Sequence, residues 1–450
     1  MSVPGLVIGA PRSGSGKTTI TLGLLRALKR RGIAVAPFKC GPDYIDTAFH
    51  RVAAARDSVN LDSWAMPRAT IHALMHKNAH GAEIAVAEAL MGFFDGVAAE
   101  EGRSGSSADV AAMLGWPLVL VLDVSGQAQS AAAIAHGFSD FDTRVKLAGV
   151  ILNKVGSERH RRLATDAILA RGIPVFGAVP RNDRLSLPER HLGLVQAGEM
   201  SELEAKLDAI ADHFSAHVDL DRLLEATKNR HAREHGHLYA DLDPRFSAND
   251  KHGAIASPAQ RIAVARDDAF SFLYPHLLHG WRAAGAELSF FSPLADEPPP
   301  TDSDLCWLPG GYPELHAGRL AANGRFFDGL RDFAREKPVH GECGGYMVLG
   351  QCLVDADGMR HAMAGLLDLE TSFAKRKLHL GYREATLSGD HALGTEGTVL
   401  RGHEFHYASV MREDGTPFAQ VCDAHGSGPT ASGLRSGRVS GSFFHMIAAA

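Results

Sequence analysis

Short apolar runs recur through the first half of the chain, at 6–8, 34–38, 84–87, 117–124, 147–155 and 174–179. The stretches between them carry apolar residues at helical spacing. This alternation predicts a mostly parallel sheet with helices on both faces, and such sheets bind ligands at the carboxyl ends of their strands. From about 220 the pattern stops. Residues 221–260 are charged and His-rich, then polar with Pro, Gly and Ser, and read as a linker. Its histidines, His231, His235 and His237, read as a solvated tract rather than a metal site. At 261 the alternation resumes, with strands expected at 262–265, 288–291, 304–308 and 337–340 and helices at 271–282 and 344–350. The expected fold class is α/β in two domains, a parallel-sheet domain over 1–220 and a second parallel alternation over 261–450.

The first run leads into Gly9-Ala10-Pro11-Arg12-Ser13-Gly14-Ser15-Gly16-Lys17-Thr18-Thr19. A helix then follows, with Ile20, Leu24, Leu25 and Leu28 on one face. Strand, Gly-rich loop, Gly-Lys-Thr and helix is the order of a P-loop. Backbone N–H groups of Gly14, Ser15, Gly16, Thr18 and Thr19 can surround phosphate oxygens. Lys17 adds charge, and the Thr18 hydroxyl can ligate Mg²⁺. The pattern departs at its first glycine, where Pro11 stands. Polar residues cluster after the later strands: Asp43 and Asp46 after the second, Glu88 after the third, and Asp123 ending a Walker B-like Val-Leu-Val-Leu-Asp. Carboxylates at the mouth of one phosphate site suit metal binding or substrate positioning. Asn153 ends the next strand, where a purine base can be met.

The second domain has its own chemistry at Gly341-Glu342-Cys343-Gly344-Gly345. A Gly-x-Cys-x-Gly between a strand and a helix is the thiol form of a nucleophile elbow. A helix start just after Cys343 favours thiolate, and the Gly344 N–H can hold an oxyanion. A Gly-Gly turn at 310–311 and a histidine, His445, after a late strand complete a nucleophile, oxyanion donors and a base.

Composition narrows the partners. Hydrophobic content is 45% and charged content 22%, as in globular proteins. Net charge is −6, which gives no general attraction to nucleic acid or anionic membrane, so phosphate binding has to come from a local site. Five scattered cysteines form no C-x-x-C pair and no disulfide framework. No basic-then-apolar leader and no run of spanning length is present, so a cytoplasmic location is expected.

The motifs SGSGKTT (13–19), GPDYID (41–46), MGFFDG (91–96), GVILN (149–153), PGGYPE (309–314), ECGG (342–345), GHEFHY (402–407) and GSFFH (441–445) occur in this order. In this arrangement the chain resembles the cobyrinic acid a,c-diamide synthase family, which includes the hydrogenobyrinic acid enzymes, over essentially its whole length. The resemblance implies a dethiobiotin synthetase-like P-loop domain and a class I glutamine amidotransferase domain. It implies ATP- and glutamine-dependent amidation of the a and c carboxylates of a corrin precursor, in cobalamin biosynthesis. ATP is then co-substrate, Mg²⁺ the cofactor, and the partners small molecules, with a homodimer the assembly considered. Thr18, Asp46, Glu88 and Asp123 become the metal-side residues, and Asp43 and Asp46 orient the acceptor carboxylate. Cys343 becomes the nucleophile, His445 its base, and the N–H groups of Gly311, Tyr312 and Gly344 the oxyanion donors. Class I glutaminases commonly carry a Glu two residues after the His, but Ile447 stands here, so a Cys–His pair is expected. No chemistry is assigned to His403 and His406.

Two other readings share these parts. A nucleotide-switch ATPase of the partitioning type would use the P-loop and leave Cys343 and His445 idle. An amidotransferase of the same build could take another polycarboxylate, such as cobyrinic acid diamide or a nickel sirohydrochlorin. Chain length and the GPDYID motif favour the a,c-diamide synthase.

Overall fold

The computed structural model describes residues 3–190, 193–227 and 256–450. Most of the expected linker, with His231, His235 and His237, lies outside the described residues. The chain divides into two compact units, Met1–Gly253 and Ala254–Ala450.

In the first unit seven strands form one all-parallel sheet: β1 (Gly5–Gly9), β2 (Val35–Cys40), β3 (Val59–Leu61), β4 (Ile84–Glu88), β5 (Leu118–Asp123), β6 (Leu147–Val155) and β7 (Val175–Pro180). Their spatial order is β3-β2-β4-β1-β5-β6-β7. Strands buried on both faces need continuous apolar residues, and β1, β2 and β4 are buried throughout. The edge strand β3 was not expected from the apolar pattern. It is three residues long and contains a buried Asn60, whose amide bonds the Gly41 and Asp43 carbonyls. Because β1 lies between β4 and β5, the loops leaving β1, β2 and β4 open along one edge. Helix α1 (Lys17–Arg30) follows β1 and α2 (Ile45–Ala54) follows β2.

The second unit contains a ten-stranded sheet that changes character midway. Glu287–Phe291, Arg261–Ala265, Leu305–Leu308, Val339–Glu342 and Val439–Ser442 are neighbours in that order, and all are parallel. The sheet then continues antiparallel through Thr430–Ser436, Thr416–Asp423, His379–Leu387, Val399–His406 and Phe444–Ala449. The parallel alternation expected for the whole domain therefore holds only for its first part. Direct hairpin-type connections replace helical crossovers after residue 379, and strands such as Thr416–Asp423 mix buried and exposed positions. The helix expected at 271–282 begins at Pro275, where a missing N–H costs nothing. Helix Gly324–Glu336 covers the parallel part and buries Phe326, Phe327, Leu330 and Phe333.

Candidate active sites

The loop after β1 is built around Gly16, whose φ of 89° opens α1 in a conformation that a side chain disfavours. A Cβ there would also stand 2.2 Å from the Asn153 amide nitrogen. That amide, expected to meet a purine base, donates to the Ser15 carbonyl at 2.9 Å. Lys154 donates to the Gly14 carbonyl at 3.0 Å and to Asp123 at 2.8 Å. The end of β6 thus holds the phosphate loop from beneath. Lys17 is buried and donates to the carbonyls of Arg12 and Met91. Burial lowers its pKa.

The acidic residues beside this loop are not equivalent. Thr18 donates its hydroxyl to Glu88 at 2.6 Å. Lys39, which ends β2 together with Cys40, donates to Asp46 and, at 3.0 Å, to Glu88. His50, on α2, lies 2.8 Å from the other Glu88 oxygen and 3.1 Å from the Ser58 hydroxyl. Burial opposes charge on Lys39, yet Asp46 and Glu88 outweigh it and hold the ammonium above the usual lysine range. Burial likewise opposes charge on Glu88, and Lys39 and His50 still hold its carboxyl below the usual range. Asp46 is pushed up by burial and then by Asp43. Asp43 accepts from the N–H groups of Ile45 and Asp46, so one of its oxygens caps α2.

The structure therefore gathers Thr18, Asp46 and Glu88 around Lys39. Asp123 is paired instead with Lys154 and, at 3.6 Å, with Arg12. Lys39 and His50 were not singled out in the sequence. A lysine ending a strand and a histidine inside a helix carry no motif, and only the fold brings them to Glu88. Hard oxygen donors that already share hydrogen bonds fit Mg²⁺, which needs one or two carboxylates and keeps several waters. Among the described residues no group of three or more His, Cys, Asp or Glu is arranged to hold a metal by itself.

In the second unit the strand Val339–Glu342 runs to the residue before Cys343, and the helix Gly344–Leu349 starts right after it. Cys343 has φ 47° and ψ −103°, a strained non-glycine conformation of the kind elbows store. Its N–H bonds the Ser442 carbonyl at 2.8 Å, and the Gly345 N–H bonds the Pro309 carbonyl at 3.0 Å. The turn needs small residues. A Cβ on Gly344 would lie 3.0 Å from the Gly311 nitrogen, and one on Gly345 only 2.0 Å from the Leu308 carbonyl oxygen. The backbones of Gly344 and Gly311 thus approach closely, and the Gly344 N–H meets the Cys343 thiol. Tyr312 is fully buried, edge-on to Phe272 at 5.0 Å.

The short helix does not make Cys343 a resting thiolate. The side chain is 2% exposed, and burial, then the Glu314 carboxylate, push its pKa up, against one lowering contact from the Gly344 N–H. His445 is fully buried beside Gly310, where a Cβ would stand 2.5 Å from the imidazole Cε1. Its ring stacks on His403 at 5.1 Å, and His403 Nδ1 lies 3.1 Å from the Tyr274 hydroxyl. Burial, and then His403, depress the pKa of His445 well below the ordinary value.

One group was missed. Glu342 is 3% exposed, accepts from the Met446 N–H at 2.9 Å, and has its other oxygen 3.9 Å from His445 Nδ1. Register explains the meeting. Glu342 pairs with Ser442 across the parallel ladder, and the chain from Ser442 turns into Phe444–Ala449, which carries His445. Ile447, at the usual carboxylate position, is buried and offers only its carbonyl, which lies 2.9 Å from His276 Nε2.

Comparison with known proteins covers both units. Residues 6–195 match the CobQ/CobB/MinD/ParA nucleotide binding domain, and residues 261–450 match the CobB/CobQ-like glutamine amidotransferase domain. A hydrogenobyrinate a,c-diamide synthase of Mesorhizobium japonicum is 53% identical, covering 100% of both chains. One from Rhodobacter capsulatus is 56% identical over 99% of this chain and 98% of its own. A third, from Agrobacterium fabrum, is 53% identical over 100% of this chain and 99% of its own.

Proposed function

The chain belongs to the hydrogenobyrinate a,c-diamide synthase family of glutamine amidotransferases, and from that membership we infer that it amidates the a and c carboxylates of hydrogenobyrinic acid, using ATP and glutamine. What carries the inference is identity of 53–56% running through both units rather than one. The synthetase step is assigned to residues 1–220 and the glutaminase step to 261–450. A cytoplasmic setting suits a reaction that consumes ATP. Among the described residues no helix is long and apolar enough to cross a membrane.

A carboxylate does not react with ammonia at neutral pH, because oxide or hydroxide is too poor a leaving group. Transfer of the γ-phosphoryl group from ATP to the acceptor carboxylate makes an acyl phosphate, from which phosphate can leave. In this reading Gly14, Ser15, Gly16, Thr18 and Thr19 hold the phosphates through backbone N–H groups, and Lys17 stabilises charge spreading over the transferred group. Lys17 first has to exchange the Arg12 and Met91 carbonyls for phosphate oxygens. Thr18, Asp46, Glu88 and Asp123 would hold Mg²⁺, which would supply charge neutralisation to the phosphoryl oxygens when bound. Asp43 and Asp46 orient the acceptor carboxylate.

In the other unit Cys343 attacks the glutamine amide carbon while His445 takes the thiol proton. The tetrahedral oxyanion is held by the N–H groups of Gly311, Tyr312 and Gly344. His445 then returns the proton to the leaving ammonia, and water hydrolyses the thioester to glutamate. The test is direct. Purified protein with ATP, Mg²⁺, glutamine and hydrogenobyrinic acid should give mono- and then diamide by mass spectrometry. Absence of amide with this acceptor, together with turnover of another tetrapyrrole polycarboxylate, would reject the assignment.

A further inference from the structure

We propose that Glu342 is the positioning carboxylate of the glutaminase site, holding the His445 imidazole through Nδ1 and offsetting the charge it gains. This rests on the glutaminase reading above and adds to it a third member that replaces the absent carboxylate at 447.

Three observations converge. The first is place: Glu342 directly precedes the nucleophile and sits 3.9 Å from His445 Nδ1. The second is anchoring. Met446 N–H holds one oxygen at 2.9 Å, so the other faces the ring from a fixed carboxyl plane. The third is the cost of burial. The residue is 3% exposed, and no basic side chain of the described residues is recorded as its ion-pair partner apart from His445. A buried carboxyl with one backbone bond is expensive to keep unless something uses its charge. Burial pushes its pKa up to about 8.

The proton balance is simple. Cys343 Sγ–H gives its proton to Nε2 as sulfur bonds to the amide carbon. The ring becomes an imidazolium whose Nδ1–H faces the Glu342 carboxylate. When ammonia leaves, Nε2 returns the proton to the departing nitrogen and the imidazole is neutral again. Glu342 keeps its electron pair throughout, fixes which ring nitrogen faces the thiol, and stabilises the transient cation, the role of the orienting acid in serine and cysteine triads. The other ionisable groups around the pair are His403 and His406 on the neighbouring strand and, around the thiol, Glu314 and Glu404. Because the carboxyl must be ionised to act, glutaminase turnover should rise with pH through the ionisation of Glu342.

Glu342→Gln keeps an acceptor for the Met446 N–H and removes only the charge. It should lower kcat for glutamine-driven amidation by at least about 100-fold. Ammonia-driven amidation at high ammonium serves as the control for folding and for the other unit. The rising limb of the kcat–pH profile near pH 8 should vanish in this variant, and Glu342→Asp should restore part of the rate together with a limb. Wild-type-like kcat and pH profile in Glu342→Gln would overturn the proposal. So would equal loss of ammonia-driven activity in both variants, which would make the residue a structural one. Cys343→Ala in the same assay separates the two levels. If it still uses glutamine the glutaminase reading itself is wrong, whereas its failure beside an unaffected Glu342→Gln rejects only the role of Glu342.

Discussion

The two sites bury ionisable groups to opposite ends. Beside the P-loop the innermost pair is held charged, Lys39 by Asp46 and Glu88, and Glu88 by Lys39 and His50, although burial pushes Asp46 up and Lys17 down towards neutrality. Around Cys343 the same degree of burial keeps groups neutral: the thiol and the Glu342 carboxyl are pushed up, and His445, His403 and His406 are pushed down. The difference follows the chemistry each site is assigned. Phosphoryl transfer moves a highly charged group past fixed charges, so preorganised ions serve it. Thiol attack on a neutral amide creates charge only during the step, so a thiol and an imidazole that are neutral at rest serve that, beside a carboxyl that has to be ionised beforehand to take part.

The contrast can be broken most sharply at the nucleophile. Cys343→Ala should abolish glutamine-driven amidation, a loss on the order of 5 kcal/mol or more in barrier. Activity with high ammonium should persist, since the acyl phosphate is made elsewhere. Parallel assays with the two nitrogen sources check this, and loss of both in a folded variant would merge the two sites into one.

Lys17→Ala should act on both nitrogen sources equally, at a cost of roughly 3–4 kcal/mol in transition-state stabilisation. Steady-state rates with glutamine and with ammonium would show the equal loss. Near-normal ammonia-driven turnover would mean that Lys17 serves no phosphoryl step.

Acid should separate the units by stability. His340, His403 and His406 are neutral and buried, with pKa values lowered by burial to about 3. Unfolding lets each take a proton near its ordinary value of 6.5. The histidines therefore lower the stability of the second unit as pH drops below about 6.5, by about 1–2 kcal/mol each at pH 5, while Glu342, with its pKa raised to about 8, offsets about one of them. Glu88, held low, costs the first unit stability only below the carboxylate range, near 4.5. Hydrogen exchange read by peptide at pH 7 and pH 5 should show the second unit loosening first. The opposite order would argue that these histidines are not neutral in the fold.

The smallest effect concerns nucleotide affinity. Asp46→Asn should lower amidation severely, yet leave ATP binding within about 1.4 kcal/mol, since Asp46 faces Lys39. Calorimetry beside amidation rate and thermal midpoint decides. A proportional loss of stability and of every activity would make Asp46 a turn residue.

Much of both sites was legible because the sequence places the chemistry next to its scaffold. Lys17 and Thr18 follow a strand and open a helix, and Cys343 sits between a strand and a helix, so local pattern and the chemistry proposed for them coincide. What was not legible depends on partners distant in sequence. Glu342 stands inside a motif, but the role proposed for it depends on the ladder to Ser442 and the turn into the strand of His445. Lys39 reads as an ordinary strand-end lysine until Glu88 arrives from the neighbouring strand. The short β3 has too few apolar residues to announce itself. The antiparallel half of the second unit was hidden by the strong parallel alternation before it, although its mixed burial is the mark of such strands.

The burial of Cys343 has a consequence for chemical probing. Oxidants and simple alkylating reagents react with thiolates, and a side chain 2% exposed with a raised pKa presents almost none to solvent. Of the five cysteines, Cys422 is the one that is not buried, so nonspecific modification should fall there first. A glutamine-shaped electrophile is different, because it enters as substrate and sets off the proton transfer that makes the nucleophile. Selective labelling of Cys343 is thus a matter of mimicry rather than of reactivity.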